Sequence, residues 1–122
     1  MNLEEKFIKE LKDVVVEDNL RLYDQFIREK DPAQIKSEEW RKFLTAVRSN
    51  NAEGAVSVVF RQILADALAN VLGVLDGSSN LPSMRGDFCI TYDGELLDKS
   101  LADTFLACEE ENPNNPNGSA SQ

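Results

Sequence analysis

The stretch that decides the fold is "AVSVVFRQILADALANVLGVL", from Ala55 to Leu75. Its apolar residues recur so often that they surround most of a helical axis instead of forming a single stripe. A helix of this kind finds cover only at the centre of a bundle or at an interface between molecules. We therefore predict a central helix over residues 52–76, capped by Asn51 and packed against the other elements of the chain.

Charged or amide side chains interrupt the central segment at four positions, which are Arg61, Gln62, Asp66 and Asn70. These groups make a lipid-spanning helix costly, so we expect no membrane association. We predict that the four form one solvated stripe along the helix. The alternative is a buried acid with a raised pKa, which would mark a functional site. Gly73, within the same segment, would permit a close approach between helices.

Upstream of the centre, the sequence predicts two amphipathic helical regions. The first starts near Leu3 and weakens at "VVVEDN", where β-branched residues precede Asp18 and predict a break or kink. It must end by Asp31, because the following proline disfavours helical geometry there. The second begins after Ser37, a good N-cap, and carries an apolar stripe that includes Trp40.

Downstream of the centre, Asp93-Gly94 is the two-residue signal of a type I′ hairpin turn. The register that it sets pairs Tyr92 with Glu95, Thr91 with Leu96 and Ile90 with Leu97. The expected strands cover residues 88–92 and 95–97. Their apolar face, formed by Phe88, Ile90 and Leu97, needs a helix to cover it, because an isolated hairpin is marginally stable.

The last predicted helix follows the hairpin. Ser100 and Asp103 resemble a capping box at its start, and its buried side should carry Leu101, Phe105 and Cys108, with Leu106 beside them. It ends in three glutamates, residues 109–111, where negative charge opposes the helix dipole and predicts fraying.

Together these elements predict an α+β fold that is predominantly α, with a helical bundle around the central helix and one hairpin before the C-terminal helix. Residues 1–111 would form one domain, and residues 112–122 a disordered polar tail. The charged N-terminal stretch does not resemble a signal peptide, which favours a cytoplasmic protein. Cys89 and Cys108 are then expected to be buried, reduced thiols.

Catalytic chemistry has little support in the composition. The chain contains no histidine, and therefore lacks the usual general base and the commonest metal ligand. It also lacks the glycine-rich phosphate-binding motifs, and its acidic loops do not match the calcium-loop pattern. We therefore expect no catalytic residues, no cofactor and no metal site.

Charge is the strongest functional signal. The net charge is -9, and residues 51–122 contain only three basic residues against eleven acidic ones. Such a field repels nucleic acid and attracts basic proteins. The leading hypothesis is a non-catalytic regulator or inhibitor, analogous to immunity proteins that neutralise basic toxins, with a basic protein partner. The candidate partner-binding residues are Asp87, Asp93, Glu95, Asp98 and Asp103.

Two alternatives remain open from the sequence. The central helix could join copies of the chain into a homo-oligomer, because its apolar surface is broad for a chain of 122 residues to cover. The third hypothesis is an enzyme that uses carboxylates alone, which would require a pocket with at least two acids of shifted pKa.

Overall fold

The computed structural model describes residues 1–112, so the predicted tail lies outside the described residues apart from Asn112. The structure confirms the predominantly helical α+β fold, with a two-stranded antiparallel hairpin before the C-terminal helix. The regular elements are α1 (Leu3–Lys12), a π-helical segment (Asp13–Asp18), α2 (Asn19–Glu29), a 3-10 turn (Pro32–Gln34), α3 (Glu38–Ser49), α4 (Glu53–Asp76), β1 (Thr91–Tyr92), β2 (Glu95–Leu96) and α5 (Leu101–Glu110).

The predicted irregularity near residue 18 is the π-helical segment, which joins α1 and α2 without a break. Three consecutive β-branched residues crowd the preceding turn, and a π-helix widens the backbone there. Asn19 follows the segment, and its side-chain amide donates to the Val15 carbonyl at 2.8 Å. The segment buries Val16 completely, so the irregular geometry directs an apolar side chain into the core.

The ends of α2 and α3 follow their local chemistry. Helix α2 stops two residues before Asp31, as the proline predicts. Ser37 caps α3, because its hydroxyl accepts a bond from the Trp40 backbone at 3.2 Å. Arg48, near the end of α3, donates to the carbonyls of Ile27 and Lys30 at 2.8 and 2.6 Å. These bonds satisfy the free carbonyls at the end of α2 and fix α3 beside it.

The predicted cap of α4 is wrong. Asn51 lies in the left-handed region, with φ 51, and Ala52 is the N-cap of α4 without a side-chain bond. The Asn51 and Ala52 amides donate to Arg48 and Val47 carbonyls at 3.2 and 2.9 Å. Asparagine tolerates this left-handed conformation, so Asn51 terminates α3 instead of starting α4.

Two buried clusters lie along α4. The first, here called the terminal cluster, joins α1, the π-helical segment, the second half of α4, the hairpin and α5, and contains Ile8, Val16, Ala65, Leu68, Leu72, Leu97, Leu101 and Phe105. The second, here called the aromatic cluster, joins α2, α3 and the first half of α4 around Ile27, Leu44 and Val47. Helix α4 is therefore the element that both clusters share.

The end of α4 turns back on itself. Gly77 takes a left-handed conformation at φ 84, and the Ser78 amide donates to the Gly73 carbonyl at 2.9 Å. Gly73 does not mark a crossing of helices, as predicted from the sequence. A side chain there would begin 3.2 Å from the Ser79 hydroxyl oxygen, so the glycine admits this returning loop.

The hairpin turn and register are confirmed. Asp93 and Gly94 have φ of 50 and 83, and Thr91 pairs with Leu96 and Tyr92 with Glu95. The regular strands are shorter than predicted, although the Leu97 amide still donates to the Ile90 carbonyl at 2.9 Å. Leu97 is buried within the terminal cluster, so helices cover this face of the hairpin.

The start of α5 differs from the predicted capping box. Ser100 occupies the N-cap position but makes no side-chain cap bond. The carboxylate of Asp76, at the end of α4, accepts a bond from the Ala102 amide at 2.7 Å instead. The negative charge suits the positive end of the α5 dipole. Leu101 and Phe105 are buried as predicted, whereas Leu106 is 49% exposed and lies off the buried side.

Candidate protein-binding surfaces

Arg61 is not part of a solvated stripe, contrary to the sequence prediction, because it is 3% exposed. Its guanidinium donates to both carboxylate oxygens of Glu109, at 2.8 and 3.0 Å. Its Nε atom also donates to Glu17 at 2.9 Å. Glu109 is itself buried, so the last turn of α5 is held by an ion pair where fraying was predicted.

The hydrogen bonds that Arg61 donates to Glu109 are the main cause that raises the pKa of Arg61, and the negative charges of Glu109 and Glu17 add to it, while burial opposes it. The guanidinium therefore stays charged within the interior. It connects α4 to the π-helical segment through Glu17 and to α5 through Glu109. The Arg61, Glu17 and Glu109 side chains therefore hold α4, the π-helical segment and α5 together.

The other three residues of the predicted solvated stripe lie on the polar side of α4, as expected. Asp66 and Asn70 are exposed, and the Gln62 amide donates to the Asp66 carboxylate at 2.7 Å. Residues 62, 66 and 70 are spaced by four and share one side of the helix, whereas residue 61 is turned about 100° away. This spacing explains why Arg61 alone enters the core.

A further polar contact joins α2 to α4. The Ser57 hydroxyl donates to the Asp24 carboxylate at 2.5 Å, and Arg28 donates to the same carboxylate at 3.0 Å. The Ser57 bond is the main cause that lowers the pKa of Asp24 from its ordinary value of 3.8, with Arg28 contributing and burial opposing it. The contact fixes the pairing of the two helices.

The five candidate partner-binding residues all lie exposed within the hairpin, the segments that flank it and α5, and we call them the acidic surface: Asp87, Asp93, Glu95, Asp98 and Asp103. Lys99 lies 3.8 Å from Asp87 in an open ion pair. The Asp98 amide donates to the Glu4 carboxylate at 3.0 Å, which ties this part of the chain to α1. Because Arg61 is buried, the exposed basic residues after position 50 are Arg85 and Lys99.

Large apolar side chains lie exposed in the same part of the molecule, and sequence reasoning missed them. Tyr92 is 66%, Leu96 62% and Met84 57% exposed. Thr91 and Leu96 form a cross-strand pair on the face opposite Ile90 and Leu97, and side chains on opposite faces of a strand alternate. The alternation that predicted the buried face therefore also contained the signal for Leu96.

The central helix is less covered than the sequence predicted. One side of α4 contributes to both clusters, but Val59, Ile63 and Val71 are 54%, 58% and 56% exposed. Ala67 lies exposed between them. Within the described residues 1–112, α4 is the one helix whose length and composition would suit a membrane span. Only 28% of its most apolar 18-residue stretch is buried within the protein.

An open aromatic depression of about 260 Å³ lies at the amino-terminal half of α4, lined by Glu39, Trp40, Phe43 and Phe60. The Phe43 and Phe60 rings are parallel, with centroids 6.0 Å apart, and Trp40 meets Phe43 edge-on at 5.6 Å. Tyr23 packs edge-on against Phe60 at 5.7 Å and is partly exposed. The depression continues the exposed apolar side of α4 onto α3.

A second concave region lies between the two outermost helices. This depression of about 360 Å³ between α1 and α5 is lined by residues that include Glu5, Lys9, Cys108 and Glu111. Within residues 1–112, no three cysteine or acidic side chains are grouped so that they could hold a metal ion. The cysteine prediction is wrong for Cys89, which is exposed, because it points away from the covered face of the hairpin.

Comparisons with known proteins return no matching family model, no matching curated protein and no matching solved structure.

Proposed function

We propose that the protein is a non-catalytic binding protein whose acidic surface engages a basic protein partner. The observation that carries the proposal is the combination of exposed carboxylates with exposed apolar side chains on one hairpin. Asp93 lies in the turn and Glu95 follows it, and Tyr92 and Leu96 adjoin them at 66% and 62% exposure. Protein interfaces use such apolar anchors for affinity and surrounding charges for orientation and association rate.

The distribution of charge supports a basic partner. Arg61 is buried and paired with two glutamates, which removes one of the three cations in residues 51–122 from the surface. Lys99 is paired with Asp87. The electrostatic field at the surface of the hairpin and α5 is therefore negative. This field accelerates the association with a positively charged protein surface.

The hairpin is also held firmly enough to present these groups. Leu97 anchors its base in the terminal cluster, and the Asp98 amide bonds the Glu4 carboxylate. The type I′ turn fixes the relative positions of Asp93 and Glu95. A fixed recognition element loses less conformational entropy on binding than a flexible loop.

The test uses lysozyme as a basic probe protein and compares two variants of equal net charge. Asp93→Asn/Glu95→Gln should weaken binding at low salt by about fivefold, because two rim charges contribute about 0.5 kcal/mol each. Asp13→Asn/Glu29→Gln, which changes exposed acids on other elements, should have a smaller effect. Equal loss in the two variants would show that only net charge matters and would contradict a defined acidic surface.

Tyr92→Ala and Leu96→Ala test the apolar part of the surface. Both should weaken binding to lysozyme at high salt, where the electrostatic contribution is screened. Binding that disappears at high salt and is unaffected by these variants would contradict the proposed anchors.

A further inference from the structure

We infer that a third concave region, at the base of the hairpin, receives one arginine side chain of the basic partner. This region, here called the hairpin pocket, has a volume of about 190 Å³. It lies between the hairpin, the end of α4 and the start of α5, and its lining includes Leu75, Asp76, Phe88, Leu96, Asp98 and Lys99. The inference rests on the proposed function, because it names the group of the partner that the acidic surface receives.

The size of the hairpin pocket suits one side chain. Pockets that bury a whole small-molecule ligand usually occupy about 300–1,000 Å³. The hairpin pocket, at about 190 Å³, is smaller than this range. Protein interfaces commonly place one anchoring side chain of the partner in a well-packed pocket, and arginine is among the residue types enriched in that role.

Apolar side chains contribute much of the pocket wall. Leu75 and Phe88 are half-buried, and Leu96 is 62% exposed. Leu97 and Leu101, which belong to the terminal cluster, also line the pocket and join it to the core. The aliphatic part of an arginine side chain packs well along such a wall while its charged end stays near water. The wall also gives the exposed Leu96 side chain a role in binding.

The charged groups of the lining favour a cation. Asp76 and Asp98 line the pocket, and Lys99 is the one basic residue of the lining within the described part of the chain. The Lys99 ammonium lies 3.8 Å from the carboxylate of Asp87, which is outside the lining, so its charge is already paired. One Asp76 oxygen accepts the Ala102 amide at 2.7 Å, and the second oxygen can accept a bond from a ligand. A guanidinium suits two carboxylates because it donates from a planar fork.

The hairpin pocket adjoins the rest of the acidic surface. Asp98 belongs to both, and Glu95 lies three residues away, a distance of about 10 Å along an extended chain. A partner that inserts its arginine beside Asp98 therefore brings neighbouring basic groups close to Glu95 and Asp93. The pocket supplies the specific contact, and the surrounding acids supply the general attraction.

Titration of the full chain with N-acetyl-arginine N-methylamide, followed by heteronuclear NMR, tests the pocket. Saturable shifts should centre on the amides of Leu75, Phe88 and Lys99, with a Kd on the order of 1 mM, as expected for one side chain. The citrulline analogue has a similar shape without the charge, and the norleucine analogue has only an aliphatic stem. Both should bind about fivefold more weakly. Equally tight binding of either analogue, or the absence of saturable shifts, would overturn the inference.

Two variants that lose the same charge separate the pocket from the acidic surface as a whole. Asp98→Asn should raise the Kd of the arginine probe about threefold, and it retains the backbone amide that bonds Glu4. Asp93→Asn is the matched control on the same hairpin, and it should leave this Kd unchanged because Asp93 lies outside the lining. Equal effects of the two variants would overturn the pocket. The acidic surface fails separately, through equal loss of lysozyme binding in its two paired variants.

Cys89 supplies an independent readout, because it is exposed and lines the hairpin pocket. Its rate of alkylation by iodoacetamide should fall by about half when the arginine probe is present at its Kd. The rate for Cys108, which lines the depression between α1 and α5, should stay constant. Undiminished alkylation of Cys89 at saturating probe would place the arginine elsewhere and overturn the inference.

Discussion

Arg61 and Glu109 are separated by 48 residues in the chain and joined by two parallel hydrogen bonds of 2.8 and 3.0 Å. The bidentate geometry matches the guanidinium fork to the carboxylate. Because desolvation of both groups offsets much of their attraction, this pair contributes less to net stability than to the alignment of α5 on α4. Removing Arg61 is a different matter, because it takes from the buried Glu109 carboxylate the two hydrogen bonds that the guanidinium donates.

The first prediction concerns this pair. Arg61→Met should lower the free energy of unfolding by about 3–5 kcal/mol, since Glu109 would remain buried and charged. The double variant Arg61→Met/Glu109→Leu should recover most of that loss, because Glu17 is 23% exposed and can reach water. Urea unfolding followed by circular dichroism measures both. Arg21→Met, at an exposed pair with Asp18, should change stability by no more than about 0.5 kcal/mol. A double variant as unstable as the single would refute this account.

The second prediction concerns the start of α5. Asp76→Ala should destabilise the fold by about 1 kcal/mol, because the Ala102 amide loses its carboxylate acceptor. Ser100→Ala should cost only a few tenths of a kcal/mol, since its hydroxyl makes no cap bond. Thermal or urea unfolding compares the two variants. A larger loss for Ser100→Ala would restore the capping box that the sequence predicted.

The third prediction concerns pH. The pKa of Asp24 is lowered in the folded chain, so its bonds to Ser57 and Arg28 stabilise the fold above the ordinary value of 3.8. That stabilisation is lost as the pH falls through the lowered folded pKa. Ser57→Ala should move the pKa of Asp24 back toward 3.8, as read from the carboxyl shift in an NMR titration. Ser49→Ala, which removes a distant bond to Thr45, should leave it unchanged. An unchanged pKa in Ser57→Ala would show that Ser57 is not the main cause.

The fourth prediction concerns the two thiols. Cys89 is exposed and Cys108 is half-buried, so a thiol reagent should modify Cys89 faster in the native chain. Cys89→Ser should remove the fast phase and leave the slow one. Equal rates for the two thiols in the wild type would contradict the exposed position of Cys89.

Local sequence signals predicted the elements that local chemistry controls. The turn at Asp93 and Gly94 fixed the hairpin register, Ser37 marked the start of α3, and the proline after Asp31 marked the end of α2. The central position of α4 also followed from its apolar composition, although the exposed side of that helix did not.

Longer-range contacts could not be predicted in this way. Arg61 was grouped with Gln62, Asp66 and Asn70 in the predicted solvated stripe, because its partners Glu17 and Glu109 are 44 and 48 residues away. Asp76 caps a helix that begins 25 residues later, and nothing near it in the sequence indicates that role. The five acidic candidates were correctly placed at the surface, since charged residues beside a short hairpin rarely find burial, but the neighbouring Leu96 was missed.

The two clusters along α4 predict which part of the fold forms first. The aromatic cluster draws its residues from positions 26–60, whereas the terminal cluster joins α1 to α5 across most of the chain. Contacts between near neighbours in sequence close at a smaller entropic cost and therefore form first. In pulse-labelling hydrogen exchange during refolding, amides of α3 should gain protection before those of α1 and α5. The chain then completes its fold by bringing its two outermost helices together on a preformed α2–α3–α4 unit.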